Sequence, residues 1–389
     1  MQRIKILFIA KWFMNRHDPQ IGVFIRKHAS AAALYCDVTL LCVLGDPDQK
    51  NSVEIEEKNE YGILSVVAYF KKSQSPFSFV NLFINMFRYV NASRHALKFI
   101  REKKGKHDIT HAYIMLRPAL IAWWLKITQG IPFVISEQWS GYARGLFAKK
   151  NSAEKILSRI VFKKAAAATA VSKFLKDKME DAGLRNRYAI TPNVVEPFQK
   201  LTSPFTHNNK IKILTVADLV DDIKNISATI KAVAEISKDQ SGLEFHVVGH
   251  GKDEMVLKDL CRRLNVLDTI VFFHGVKTNE QVFQYLHACN FLVVNSRFET
   301  FSLICIEAMS CGKPVIATDC GGPSDFMNPQ NGILIQPDND EQLTSAIRKM
   351  ISGYKSYDAE LLKEYALLNF SPAGTGKKFA ELYSQILSK

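Results

Sequence analysis

Two carboxylates, Glu299 and Glu307, stand in the stretch FLVVNSRFETFSLICIEAMSCGKPVIATDCGGPSD, residues 291–325. An ionised carboxylate offers acceptors only, so such a pair suits a ligand rich in hydroxyl donors. Glu299 falls in a polar run, Ser296 to Thr300, that reads as loop. Glu307 falls among Ile304, Ile306, Ala308 and Met309, where a charged carboxylate is costly unless paired or hydrogen-bonded. Taken singly, the first fits a solvated loop charge and the second a residue on the polar face of a helix. Their setting is more telling. Phe291 to Val294 is a short β-branched run that predicts a buried parallel strand. A helix is expected from near Ser302 until Gly312 ends it. Pro314 to Ala317 is the next strand and Gly321-Gly322-Pro323 the next turn. Ligands of open α/β sheets gather in such loops, where the strands end.

The elements that must hold this site alternate between strand and helix throughout, which predicts two α/β Rossmann-like domains. A length of 389 residues suits two domains of roughly 190 each. The first half predicts strands at Ile4–Ile9, Val38–Val43, Ile109–Ala112, Pro132–Ser136 and Ala165–Val171, with a hairpin around Tyr61-Gly62. Gly22 stands at the start of a helix expected to run to Ala33, and is either a plain N-cap glycine or a place where an amide approaches a phosphate. Thr202–Lys210 is polar and reads as the linker. The second half opens with a strand, Ile211–Val216, then the loop ADLVDDIKN. Glu244–Val248 runs into Gly249-His250-Gly251, which lacks the third glycine of a dinucleotide fingerprint. Ile270–Phe273 precedes His274-Gly275-Val276, and His274 reads as a structural histidine. GTGKK at 374–378 lacks the spacing of a phosphate loop.

Composition narrows the partners. No apolar run approaches ~18 residues, so no transmembrane helix is expected. The apolar core of the N-terminus, Ile6 to Ala10, is too short for a signal peptide. Seven scattered cysteines without a C-x-x-C pair suggest reduced thiols and a cytoplasmic protein. A net charge of +13 calls for an anionic partner. No nucleic-acid motif is present. Phe77–Lys106 offers another target, with Phe79, Leu82, Phe83, Met86 and Phe87 at helical spacing and a basic end. It fits either an ordinary core helix with a solvated charge run or an amphipathic helix on an anionic membrane.

The pattern E-x-F-x-x-x-x-x-E-A-M-x-x-G-x-P-V-I-A-T-x-x-G-G from Glu299 to Gly322 resembles the nucleotide-sugar site of the retaining GT-B glycosyltransferases of the family-four type. The resemblance is strong from Ile211 to Leu334 and weaker but collinear before that. It implies two Rossmann-like domains facing each other across a cleft. The acceptor domain would span 1–203 and the donor domain 204–371, with a last helix at about 372–389 packing back on the first. Implied with it is retaining transfer from a nucleoside-diphosphate sugar, UDP more than GDP, with no metal or other cofactor. The acceptor would be a glycan or lipid-linked oligosaccharide of cell-surface polysaccharide assembly. Glu307 would bind the ribose, Glu299 the sugar, and the amides of Phe301, Ser302, Leu303 and Ile304 the diphosphate. Gly249, Gly251 and Gly275 match turns near the base, and Gly22 the phosphate loop.

Two departures accompany the match. Family members often place an Arg and a Lys six residues apart in the loop that here reads ADLVDDIKN; this chain keeps Lys224 but has Asp218 at the Arg position. A carboxylate there repels phosphate. Many members also carry a His after the Glu of the loop here written SEQWSGYARG, where this chain has Gln138. A neutral amide binds a hydroxyl but is no general base at neutral pH. Glu137 and Gln138 are the acceptor-site candidates. The rival readings are a NAD-type oxidoreductase, a sugar-nucleotide epimerase of the same architecture, and an inactive GT-B partner subunit that binds nucleotide sugar.

Overall fold

The computed structural model describes residues 3–18, 21–196, 204 and 209–388. The chain forms two compact units, one of Met1–Val171, Lys176–Val194 and Pro372–Lys389, the other of Ser172–Leu175 and Val195–Ser371. It passes into the second unit at Val195, whose amide donates to the Phe370 carbonyl at 3.0 Å. The expected boundary at 203, and most of the expected linker Thr202–Lys210, lie outside the described residues.

In the first unit the chain runs β1 (Lys5–Ala10), α1 (Val23–Ala33), β2 (Asp37–Asp46), β3 (Val53–Glu60), β4 (Ile63–Lys71), α2 (Ser78–Lys104), β5 (Ile109–Tyr113), α3 (Arg117–Gln129), β6 (Phe133–Glu137), α4 (Ser152–Lys164) and β7 (Ala167–Ala170). Helix α5 (Lys173–Asp181) and strand β8 (Tyr188–Ile190) follow. The sheet order is β3-β4-β2-β1-β5-β6-β7-β8, parallel except for the β3–β4 hairpin. Every residue of β5 and β6 is buried. That is what a sheet covered on both faces demands. The second unit runs β9 (Ile211–Val216), α6 (Asp221–Lys224), α7 (Ile226–Ile236), β10 (Leu243–Val248), α8 (Glu254–Arg263), β11 (Val271–Phe273), α9 (Asn279–Ala288), β12 (Phe291–Val294), α10 (Leu303–Ser310), β13 (Val315–Thr318), β14 (Gly332–Ile335), α11 (Asp340–Gly353) and α12 (Ala359–Phe370). Its sheet is fully parallel, in the order β11-β10-β9-β12-β13-β14.

The final helix, α13 (Pro372–Leu387), belongs to the first unit, where Phe379 and Tyr383 join the core of Ile6, Phe8, Ile25 and Tyr113. GTGKK lies inside this helix rather than in a phosphate loop. Gly376 has a packing reason, since a Cβ there would sit 2.0 Å from the Ala31 carbonyl oxygen of α1. The aromatic stripe of α2 stands outside the core. The buried residues of α2 are Ala92, Ser93, Ala96 and Ile100, all in its second half. Phe77, Phe79, Leu82, Phe83, Met86 and Phe87 are exposed, so the core-helix alternative fails.

A buried polar network ties α13 and α1 to the sheet. His28 on α1 places Nδ1 3.1 Å from the Tyr113 hydroxyl and Nε2 3.1 Å from the Pro192 carbonyl. A carbonyl only accepts, so Nε2 carries the proton and Nδ1 accepts from Tyr113. His111 on β5 bridges the Tyr383 hydroxyl of α13 at 2.5 Å and the Ser136 hydroxyl at 2.7 Å. Burial pushes His28 down to about 4, against the upward pull of the Pro192 carbonyl, and pushes His111 well below the ordinary imidazole value. Both are neutral in the fold. A histidine depressed in the folded state contributes its full stability above the unfolded value of about 6.5, and that stability is lost as pH falls through the folded value. Urea midpoints are therefore expected to drop between pH 6.5 and 4, with His28 alone accounting for about 3 kcal/mol. In His28→Gln the drop is expected to be smaller by that amount; an unchanged pH profile would count against the neutral, buried imidazole.

Candidate active site

The second sheet is built outward from its middle. The chain goes from β9 to β10 to β11 on one side, then crosses to β12, β13 and β14 on the other. Connections on the two sides of β9 and β12 lead away from each other, which opens a crevice at the carboxyl ends of those two strands. A cavity of about 140 Å³ lies there. Thr215 to Ala217 line it from the end of β9, Val293 to Ser296 from the end of β12, Ser302 to Ile304 from the start of α10, Lys224 from the end of α6 and Glu299 from the loop after β12. That volume is below the ~300 Å³ at which small-molecule sites begin, so it can take the anchoring part of a ligand rather than a whole nucleotide.

The structure brings Lys224 and Glu299 together. Lys224 Nζ donates to Glu299 Oε1 at 2.6 Å, and Ser296 Oγ donates to the same oxygen at 2.9 Å. Both side chains are largely buried, at 22% and 13% exposure. Burial alone would lower the Lys224 pKa; the Glu299 carboxylate outweighs it, and Asp218 adds to the same side, so the ammonium is held charged above its usual value. Asp218, at the position where an Arg was expected, is exposed.

The loop carrying the pair is locked from below. Arg297 donates to the Asp221 carbonyl at 2.8 Å, to Asn225 Oδ1 at 2.9 Å and to Asp338 Oδ1 at 2.6 Å. Asn225, in the left-handed region at φ 49°, ends α6 one residue after Lys224, and Asn295 Nδ2 donates to its carbonyl. Thr215 Oγ1 donates to the Val293 carbonyl at 2.8 Å across the switch point. Sequence reasoning missed Ser296, Arg297, Asn295 and Thr215. The signal was available for three of them, because Asn295-Ser296-Arg297 follows directly on a buried strand.

Of the amides expected at the start of α10, Ser302, Leu303 and Ile304 line the cavity. Ser302 caps the helix at φ 71°, ψ 76° with no side-chain cap bond. The Phe301 side chain turns into an aromatic cluster with Phe326 and Phe370, centroids 5.3 and 5.7 Å away, and the residue does not line the cavity. Glu307 is buried at 5% exposure four residues after Leu303, on the same helix face.

Gly249, Gly251 and Gly275 follow β10 and β11 at the same sheet edge, outside the cavity lining. Gly249 sits at φ 135°, and a Cβ there would meet the Ala217 carbonyl oxygen at 1.9 Å; at Gly251 it would meet that of Leu219 at 2.5 Å. Their first task is to let this turn press on the loop after β9. The Gly249 amide also donates to the Gly275 carbonyl at 2.9 Å. His274 is held by His246, which reaches Glu244 in turn. Two Asp-x-Asp triplets do occur, Asp46–Asp48 and Asp338–Asp340, but Asp46 pairs with Arg16 at 2.6 Å and Asp338 with Arg297.

The first unit has its own switch point, between β1 and β5. Glu137 ends β6, the next strand beyond β5, and is 1% exposed, with Oε1 accepting from the Met115 amide at 2.6 Å and the Tyr142 hydroxyl at 3.2 Å. Its Oε2 and the Gln138 Nε2 are buried without a hydrogen-bond partner. Burial raises the Glu137 pKa against those hydrogen bonds and the charge of Lys11. Ile114 and Leu116, at φ 70° and 76°, hold the Met115 amide in a strained turn. Gly22 caps α1 at φ 73°, close under the Trp12 carbonyl.

Two family descriptions divide the chain between them: Glycosyl transferases group 1 matches residues 199–366, and Glycosyltransferase Family 4 matches residues 28–197. The chain belongs to the group 1, family 4 glycosyltransferases, of GT-B fold. An uncharacterized glycosyltransferase of Methanocaldococcus jannaschii is 28% identical over 309 residues, 76% of this chain and 78% of that one. N-acetylgalactosamine-N,N'-diacetylbacillosaminyl-diphospho-undecaprenol 4-alpha-N-acetylgalactosaminyltransferase of Campylobacter jejuni is 25% identical over 356 residues, 86% of this chain and 91% of that one. The Anabaena protein HepE, solved in complex with UDP, superposes with a TM-score of 0.74 at 17% identity, covering 98% of this chain and 100% of that one.

In this glycosyltransferase the pairing of Lys224 with Glu299 is testable without substrate. Removing one partner strands a largely buried charge. Lys224→Met and Glu299→Gln are each expected to cost about 1–3 kcal/mol in urea unfolding, and the double variant clearly less than their sum. Strict additivity would mean that the two charges do not interact.

Proposed function

We propose that the protein transfers a sugar, with retention of configuration, from a UDP-sugar to a lipid-linked glycan in cell-surface polysaccharide synthesis. The observation that carries the donor half is the crevice between β9 and β12, where Lys224, Glu299 and the first amides of α10 converge. UDP bound to HepE and the diphospho-undecaprenol in the name of the Campylobacter enzyme support the choice of donor and acceptor class.

The roles follow from the chemistry present. The amides of Ser302 to Ile304 and the positive end of α10 receive the diphosphate. Donor phosphate competes with Glu299 for the Lys224 ammonium, and the carboxylate so relieved accepts hydrogen bonds from the sugar hydroxyls. As the bond from the anomeric carbon to the phosphate oxygen breaks, charge gathers on the departing nucleotide, where preorganised amides and Lys224 stabilise it. The incoming hydroxyl forms its bond to the anomeric carbon on the same face and gives its proton to the leaving phosphate, since Gln138 cannot take it. Glu307 holds the ribose hydroxyls. In the first unit, the open oxygen of Glu137 and the free amide of Gln138 offer an acceptor and donors to the acceptor glycan.

Calorimetric titration with UDP, GDP and ADP tests this reading. UDP is expected to bind selectively, and Glu307→Ala to weaken it at least tenfold with far-UV dichroism unchanged. Unaltered affinity in the variant would remove Glu307 from the donor site. Binding of none of the three nucleotides would reject the donor crevice, and selective UDP binding without transfer would favour the inactive partner subunit. Retention is read separately, from the anomeric coupling of the product.

A further inference from the structure

One face of α2 carries Phe79, Phe83, Phe87, Val90, Arg94, Lys98 and Arg101, at steps of four, four and three residues, repeated once. Steps of three and four keep side chains on one side of an α-helix. The face is therefore apolar over its first three turns and cationic over the rest. Leu82 and Met86 widen the apolar half, whose large residues from Phe77 to Val90 are 49–75% exposed. Seven such side chains in one patch on a single helix exceed the scattered apolar residues of an ordinary surface.

The patch is built rather than left over. On the opposite side of the same turns, Asn81 Oδ1 accepts from the Ser75 amide at 2.9 Å and Asn81 Nδ2 donates to the Ser75 carbonyl at 2.6 Å. Asn85 Oδ1 accepts from the Ser73 amide at 2.8 Å. The strand-to-helix connection is thus strapped to the back of α2, which leaves the aromatic side clear. Further along, Ala92, Ala96 and Ile100 seat the helix in the unit.

We propose that this face of α2 binds the surface of an anionic phospholipid bilayer. Charge selects the occupant. Between Lys71 and Lys106 there are nine Lys or Arg and a single acid, Glu102. Lys103 and Lys104 at the far end pair with Glu57 and Asp37, and the exposed Lys98 reaches Glu102 at 4.0 Å, whereas Lys71, Lys72 and Arg94 are exposed beside the patch. A second copy would set like charges against each other. An anionic headgroup layer meets the cations while the phenylalanines enter the acyl boundary. No helix among the described residues is long and apolar enough to cross a membrane. The inference goes beyond the proposed transfer reaction and does not depend on it. It also fits the topology, because α2 starts from the carboxyl end of β4, the same edge of the parallel sheet on which β6 ends at Glu137.

The test is flotation of the whole protein with vesicles of phosphatidylcholine alone or mixed with phosphatidylglycerol. Wild type is expected to float with the mixed vesicles at low salt and to be released by high salt. Phe83→Ser with Phe87→Ser is expected to lose tenfold or more in affinity, as is Arg94→Glu with Lys98→Glu, both with unaltered thermal unfolding. In Phe87→Trp, indole emission is expected to shift to the blue on binding, an independent readout should the paired variants misfold. Protein that stays in the soluble fraction at low salt overturns the proposal. So does equal flotation of wild type and both variants, or a vesicle-free dimer abolished by the phenylalanine changes.

Discussion

A parallel sheet cannot be extended on both sides without a point at which the chain reverses its direction of growth, and both units of this protein are organised by that constraint. At the reversal two neighbouring strands send their connections to opposite sides, so their carboxyl ends stay uncovered. In the second unit this exposes the backbone after β9 and β12, and the protein fills the gap with the start of α10 and two charged side chains. Neighbouring contacts in the second unit fix that edge. Arg297 fastens the β12 loop to α6, Asn225 turns α6 into α7 directly after Lys224, and the Gly249–Gly251 turn braces the loop after β9.

The ion pair in that gap is a storage arrangement for charge. A lone ammonium or a lone carboxylate at this depth would be penalised by the loss of hydration, and the pair holds both ionised. It also leaves neither fully available until a ligand with both anionic and hydroxyl groups replaces the mutual contact. A ligand with phosphate alone would free Glu299 without satisfying it; one with hydroxyls alone would not compete for Lys224. The geometry thus favours a ligand that carries the two kinds of group close together. Asp218 sharpens the requirement, since it adds to the pull by which Glu299 keeps Lys224 charged and repels any anion placed beside it.

How much of this the sequence revealed depended on the range of the interaction concerned. The strands were legible, because full burial on both sheet faces writes continuous apolar runs such as FLVV and ILFIA. The start of α10 was legible for the same local reason. The contact between Lys224 and Glu299 was not, since the residues lie 75 positions apart and meet only through strand order. The packing of the Phe301 ring on Phe326 and Phe370 was not legible either, since those partners lie 25 and 69 positions further along the chain. Helix α12 escaped notice for want of a stripe: Leu361, Leu367 and Leu368 are exposed while Leu362 and Ala366 are buried, so leucines occur on every side.

Helix α2 shows the complementary failure, in which a correct pattern leads to the wrong surroundings. An aromatic stripe at helical spacing normally reports the neighbour it packs on, and here the neighbour is absent from the chain's own described residues. Its charge resolves what its periodicity could not. With nine basic residues and one acid, the segment from Lys71 to Lys106 supplies eight of the thirteen net positive charges of the protein. The high basicity is therefore a local property of one helix and its approach, and a field so concentrated orients the molecule toward an anionic surface rather than merely attracting it. In the proposed membrane-bound state orientation would matter more than affinity, because α2 starts from the same edge of the sheet on which β6 ends at Glu137.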